Sequence, residues 1–199
     1  VRALIEVARI SSNSIKPSDI TFKLAPRINA AGRLGNAISA LQLLTASKIV
    51  DAYHYADMLE GFNQKRQTKE QEIFNEAKHY VESAPNFSSS YSIIAAGDGW
   101  HQGVIGIVAA RLMERFSRPV IVISMHEGEG RGSGRAPDPF DLHSALADCA
   151  QYLTRFGGHA AAAGVEIEEE NLAAFRQTIN AWAAAHAAPP EAVSLRLGA

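Results

Sequence analysis

One cysteine in 199 residues is the sharpest shortage in this sequence. Cys149 has no partner within the chain, and its apolar spacing with Leu142 and Leu146 predicts a packed core thiol in a reducing compartment rather than a nucleophile. Long apolar runs are missing as well. Nothing approaches the roughly 20 residues that span a bilayer, and no secretory leader is visible, which predicts a cytoplasmic protein without membrane contact. There is no excess of charge of one sign: 19 Lys and Arg against 21 Asp and Glu give a net −2. That balance excludes broad polyanion binding and confines any nucleic-acid contact to a local cluster, for which Arg33, Arg131 and Arg135 are candidates. The aspartates form no D-x-D pair, and Asp98, Asp138, Asp141 and Asp148 read as turn and cap residues. Two-metal chemistry needs carboxylates that bridge ions roughly 4 Å apart. Nor do His101, His126, His143 and His159 have zinc-ligand spacing or a neighbouring cysteine, so no metal site is expected in this chain.

What is present begins at an apolar run, Tyr91-Ser92-Ile93-Ile94-Ala95-Ala96, which reads as a buried strand. Ile105, Val108, Leu112 and Phe116 then recur at helical spacing, and Pro119-Val120-Ile121-Val122-Ile123 reads as a second strand. Strand, helix and strand in this order imply a parallel pair with a right-handed crossover. Ligands of such sheets collect beyond the carboxyl ends of strands and beside helix N-termini, which is where Asp98 to Gly103 fall. Trp100 and His101 are therefore placed to line a site; for Trp100 the alternative is packing of an aromatic over a tight turn.

In Glu129-Gly130-Arg131-Gly132-Ser133-Gly134-Arg135, alternation puts Arg131, Ser133 and Arg135 on one strand face and leaves glycines on the other, open to close approach. A hydroxyl between two guanidiniums suits phosphate, because arginine grips two oxygens and serine donates a further bond. A solvated basic edge strand is the alternative. In Arg155-Phe156-Gly157-Gly158-His159-Ala160-Ala161-Ala162-Ala163-Gly164, a turn at Gly157 and Gly158 can aim backbone N–H groups at an anion, with His159 adding a ring donor. The same residues also fit a plain Gly-Gly turn with a surface histidine.

Along the chain, a helical stretch with a loop over residues 26–34 precedes helical pattern from Ile38 to about Ser47. Residues 50–83 are polar and helix-forming, with Tyr53, Ala56, Leu59, Phe62, Arg66, Ile73, Ala77 and Tyr80 roughly in register, which predicts one long, largely solvated helix that Gly61 softens. Its basic residues Lys65, Arg66 and Lys69 are interspersed with Glu70, Glu72 and Glu76, the pattern of a solvated face. Pro85 and Ser88-Ser89-Ser90 end that helix and open an α/β domain, which closes with a helix from Glu169 to His186. Val1 enters mid-helix without a cap, as an excised fragment would.

These residues together resemble the DHH-associated domain of the DHH phosphoesterase superfamily, and within it the RecJ-type single-strand-specific exonucleases. Gly157-Gly158-His159 with Ala162-Ala163-Gly164 matches a GGHxxAAG signature. Gly99-Trp100-His101-Gln102-Gly103, Gly132-Ser133-Gly134-Arg135 and Ala25-Pro26-Arg27-Ile28-Asn29-Ala30-Ala31-Gly32-Arg33-Leu34 resemble RecJ-type segments. Ala136 and Pro139 depart from that pattern, where serine and glycine are expected.

The resemblance implies an α/β fold: a mixed, partly parallel sheet flanked by helices, preceded by a long connecting helix and a helical remnant of the DHH domain. Its divisions would fall at residues 1–48, 49–86, 87–187 and a tail, 188–199, toward a further domain. It further implies part of a 5′-to-3′ single-stranded-DNA exonuclease of bacterial repair and recombination. Mn²⁺ or Mg²⁺ would be held by an Asp-His-His triplet and aspartates of a catalytic domain this sequence does not contain, leaving the chain inactive by itself. Arg33, Ser133 and Arg135 are the candidates for the 5′-phosphate or backbone pocket. Gly157, Gly158 and His159 would hold phosphate near the metals, with Trp100, His101 and Arg131 behind them. Single-stranded DNA is the implied partner, together with single-strand-binding protein and repair helicases. Relatives acting on short RNA or cyclic dinucleotides, and silent scaffolds of the same fold, are the alternatives.

Overall fold

The computed structural model describes residues 1–11 and 14–186, so the expected tail at 188–199 lies outside the described residues. The chain divides into two compact units, residues 1–69 and the residues from Glu70 onward.

The first unit is helical: α1 (Arg2–Val7), α2 (Pro17–Asp19), a π-helical turn (Ile20–Leu24) running into α3 (Ala25–Leu34), α4 (Ile38–Thr45) and the first part of α5 (Ile49–Glu82). Its core places Leu4, Leu43 and Leu59 among the small residues Ala31, Ala40 and Ala56, which let helix backbones approach closely. Arg27 of α3 is ion-paired to Glu60 of α5. The loop expected over residues 26–34 is instead helix α3. Pro26 lies in its first turn, where a missing N–H breaks no hydrogen bond, and Ala30 and Ala31 are fully buried. The long helix expected over 50–83 is present as α5, which runs through Gly61 without a break. Between residues 64 and 76 only Ile73 is buried.

The second unit holds β1 (Ile93–Asp98), α6 (Gln102–Phe116), β2 (Val120–His126), β3 (Glu129–Arg135), α7 (Leu142–Asp148), β4 (Arg155–Gly158), β5 (Ala162–Glu168) and α8 (Leu172–His186). The sheet order is β1-β2-β3-β5-β4. β1 and β2 are parallel across the α6 crossover and the other pairs are antiparallel, giving the mixed, partly parallel sheet expected. One sheet face carries Ile94, Ile121, Ile123, Met125, Val165 and Ile167 against Leu142 and Leu146 of α7 and Phe175, Ile179 and Ala183 of α8. The i, i+4 spacing of those α8 residues lays a single helix stripe on the sheet. The opposite face is covered at β2 and β3 by α6.

Two expectations about glycine are corrected here. The β3 glycines do not lie open to a ligand. A Cβ on Gly130 would stand 2.8 Å from Ile123, one on Gly132 2.6 Å from Val165, and one on Gly134 2.7 Å from Leu142, so neighbouring side chains close over the bare face of the strand. Gly157 and Gly158 do not form a turn either. Both are strand residues paired with Gly164 and Ala163, and the turn lies one step further on, between His159 and Ala162.

Candidate phosphate-binding site

Of the residues singled out from the sequence, Arg131, Ser133, Arg135, Gly157 and His159 share the α6 side of the sheet. β1 ends at Asp98, Gly99 turns the chain with φ +65°, and α6 starts after two residues with separate duties. Trp100 is 7% exposed, packs closely against Gly97 and donates its indole N–H to Glu76 at 2.8 Å. Its indole is thereby used for packing. His101 is the N-cap: its Nδ1 accepts from the Gly103 N–H at 3.1 Å. Gln102 and Ile105, in the first turn of α6, then line an open cleft of about 440 Å³ with Arg131, Ser133, Arg155, Gly157, Gly164 and Glu166. The first turn of α6, which carries the partial positive charge of a 15-residue helix, thus borders that cleft.

Strand register orders the floor into rows. Ser133 pairs with Gly164 and Gly164 with Gly157; Arg135 pairs with Ala162, and Ala162 faces His159 through the hairpin bonds His159 N–H to Ala162 O (2.8 Å) and Ala162 N–H to His159 O (3.3 Å). Directly opposed residues share a sheet face. Ser133, Arg135, Gly157 and His159 therefore belong to the α6-side face, and Gly158 to the opposite one. Ala136 and Leu142 donate their N–H groups to Ala161 and Ala160, both at 3.0 Å, and so pin the hairpin tip that carries His159.

Above this floor Gly106 of α6 lies next to Ser133 and Arg135. Arg135 turns back along its own strand, donating from Nη1 to Ser133 Oγ at 3.1 Å and to the Gly134 carbonyl at 2.6 Å. Arg131 reaches Glu166 across the strand pair at 3.8 Å. Arg33 lies exposed in the last turn of α3, in the first unit.

Sequence patterning singled out neither Gln102, Gly106, Arg155 nor Glu166. Gly106 carried a usable signal, since glycine inside a helix costs roughly 1 kcal/mol relative to alanine and so marks a close approach. Arg155 and Glu166 carried none without the β3-β5-β4 register.

Among the described residues no three His, Cys, Asp or Glu side chains stand together as a metal-binding group. Among them, too, no helix is long and apolar enough to cross a membrane.

Residues 89–185, within the α/β unit, match the DHHA1 domain. The chain as a whole is RecJ-like. It is 35% identical to the single-stranded-DNA-specific exonuclease RecJ of Bacillus subtilis (strain 168), over 89% of this chain and 23% of that protein. To the RecJ of Escherichia coli (strain K12) it is 36% identical, over 89% of this chain and 32% of that protein. It thus spans under a third of the length of these relatives. The crystal structure of RecJ in complex with Mg²⁺ from Thermus thermophilus superposes with a TM-score of 0.83 at 33% identity, covering 94% of this chain and 29% of that one. A crystal structure of exonuclease RecJ bound to manganese superposes with a TM-score of 0.79 at 33% identity, covering 95% of this chain and 46% of that one.

Proposed function

We propose that this chain acts within a RecJ-type exonuclease that removes nucleotides from the 5′ end of single-stranded DNA, and that its share of the work is to grip the phosphate backbone. The observation that carries this reading is that Ser133, Arg135 and Gly157 share one sheet face, with Ser133 and Gly157 lining the cleft at the first turn of α6 and Arg135 beside Gly106. Each element has a role that phosphate chemistry explains. Arg135 swings from Ser133 to offer two parallel N–H bonds to phosphate oxygens, and the freed Ser133 hydroxyl donates a third. Gly157 keeps the floor bare so that a sugar-phosphate chain can lie against the sheet. His159 donates from its ring at the hairpin tip, His101 and Arg131 flank the path, and Arg33 contacts the same strand of DNA.

Mn²⁺ or Mg²⁺, the ions of the RecJ crystal structures, would be held by residues of a catalytic domain outside this sequence. There they would activate water and stabilise the departing oxygen. The chain alone would then bind DNA without cutting it. Cytoplasmic repair and recombination is the setting proposed, with single-strand-binding protein and repair helicases as partners.

The test is fluorescence anisotropy of labelled single-stranded and duplex DNA with the purified chain, alongside nucleotide release in Mn²⁺. Weak, salt-sensitive binding that prefers the single strand, without nucleotide release, is expected: about three phosphate contacts give a loss of roughly two decades of affinity per tenfold rise in salt. Equal binding of duplex, or nucleotide release that persists through stringent purification, would overturn the reading.

A further inference from the structure

We propose that Arg131, Glu166 and Arg155 form a second nucleic-acid contact, which continues the phosphate path beyond Ser133 and Arg135, and in which Glu166 serves as an internal stand-in for phosphate until a DNA strand displaces it. The inference rests on the function proposed above and adds a subsite to it.

The three residues lie in one row by register: Arg131 pairs with Glu166 across β3 and β5, and Arg155 pairs with Glu166 across β4 and β5. The Glu166 side chain therefore stands between two arginine side chains at cross-strand distance, roughly 5 Å between Cβ atoms. Arg131 Nε stands 3.8 Å from Glu166 Oε1, and their side chains are 60% and 39% exposed, so a strand of DNA can reach both. All three line the same cleft as Ser133 and Gly157.

The spacing suits a polymer better than a single anion. This row lies two residues along the strands from Ser133, Gly164 and Gly157, which lie two residues from Arg135 and Ala162, so successive rows are about 7 Å apart. The middle row has almost no side chain: a Cβ on Gly157 would meet nothing within 4 Å, and one on Gly164 only the Gly132 carbonyl at 3.8 Å. Two cationic rows thus bracket a bare floor. A free phosphate would use one row, whereas a single-stranded backbone uses both.

Among the described residues, Glu166 is the only acidic side chain lining this cleft. As an exposed partner of arginine it adds little to fold stability. Standing between two arginines, it lowers the local positive potential, so that only a ligand offering several phosphates displaces it. The device favours a chain of nucleotides over a mononucleotide.

The experiment uses the chain and its Glu166→Gln, Arg155→Ala and Arg135→Ala variants, matched by thermal melting. The probes are a labelled long oligothymidylate and, by competition, a 5′-phosphorylated dinucleotide. Glu166→Gln is expected to tighten the long probe about fivefold, since a repelling carboxylate beside phosphate is removed. Arg155→Ala is expected to reduce the slope of log affinity against log salt by about 0.7. Neither should change dinucleotide binding. If Arg135→Ala weakens both probes while Glu166→Gln fails to tighten the long one, or Arg155→Ala leaves the salt slope unchanged, the second contact is refuted and the first stands. If Arg135→Ala affects neither probe, the underlying phosphate site falls, and this subsite with it.

Discussion

Gly106 of α6 sits so close to Ser133 of β3 that a Cβ on it would stand 3.0 Å from Ser133 Oγ and 3.2 Å from a guanidinium nitrogen of Arg135. The helix thus approaches the strand at the residues proposed to hold phosphate, and glycine is what permits it. Gly106→Ala brings two opposed effects. Alanine gains about 1 kcal/mol of helix propensity, and the added methyl pushes on a hydroxyl and on the end of a flexible arginine. Because Arg135 can yield, thermal stability is expected to stay level or rise slightly. Single-stranded-DNA affinity is expected to fall, because the added methyl pushes the Ser133 hydroxyl and the Arg135 guanidinium out of the positions proposed to hold phosphate. Thermal melting and anisotropy on one sample check both; unchanged affinity would mean that the close approach serves packing alone.

Arg135→Ala separates function from fold in the other direction. Its side chain bonds to Ser133 and to a backbone carbonyl within its own strand, so fold stability is expected to change little. A charge-assisted phosphate contact contributes about 1.5–3 kcal/mol, so affinity, and activity in the longer enzyme proposed above, is expected to drop roughly ten- to a hundredfold. Arg135→Lys should recover only part of this, because an ammonium cannot form the two parallel bonds. Equal binding by wild type and Arg135→Ala would remove the phosphate site.

How far these features were legible in the sequence depended on whether local pattern or tertiary pairing decides them. The β1-α6-β2 unit follows from two apolar runs flanking a helical period, and alternation alone gave the shared face of Arg131, Ser133 and Arg135. Pro26 and Gly32 are local breakers, which favours a loop over residues 26–34, yet proline is harmless in a first helical turn and buried Ala30 and Ala31 favour the helix. Gly157 and Gly158 suggested a turn for the same reason; pairing with β5 makes them a strand, a long-range effect that no glycine count can reveal. Trp100 was equally suited to ligand or packing until Glu76, on a different helix, took its N–H. Arg155 and Glu166 become neighbours only through the order β3-β5-β4, in which a later strand inserts between two earlier ones.

Cys149 is fully buried after α7, and desolvation, helped by nearby Asp148, pushes its thiol up to about 11 from an ordinary value near 9. The native thiol is expected to resist a disulfide reagent at neutral pH and to react at once in denaturant. The stability consequence has a definite sign. The folded state holds its proton more tightly than the unfolded state, so the contribution is complete below pH 9 and is lost as pH rises from about 9 toward 11. Cys149→Ala is expected to flatten that alkaline decline in melting temperature while lowering stability at neutral pH through the cavity it leaves. A fast-reacting native thiol would contradict the buried placement.

The adjacent glycines of β4 are expected to fail in different ways when a methyl is added. Gly158 has φ +145°, and a Cβ on it would stand 2.4 Å from the Ala162 carbonyl and 2.5 Å from the Ala163 Cα. Both clashes are with backbone, which cannot move without opening the hairpin that presents His159. Gly158→Ala is therefore expected to destabilise the domain by several kcal/mol, through backbone strain added to a steric overlap. Gly157 has an ordinary φ and nothing within 4 Å of its would-be Cβ. Gly157→Ala is expected to fold normally, with unchanged or slightly raised melting temperature, because the unfolded chain loses freedom. Its methyl, however, stands on the bare floor between Ser133 and the hairpin tip, where the sugar-phosphate chain is proposed to lie, so affinity for single-stranded DNA is expected to fall. Chemical denaturation of both variants, followed by anisotropy on whichever folds, separates the two roles. If Gly157→Ala binds as tightly as wild type, the floor does not contact DNA and Gly157 serves only strand pairing.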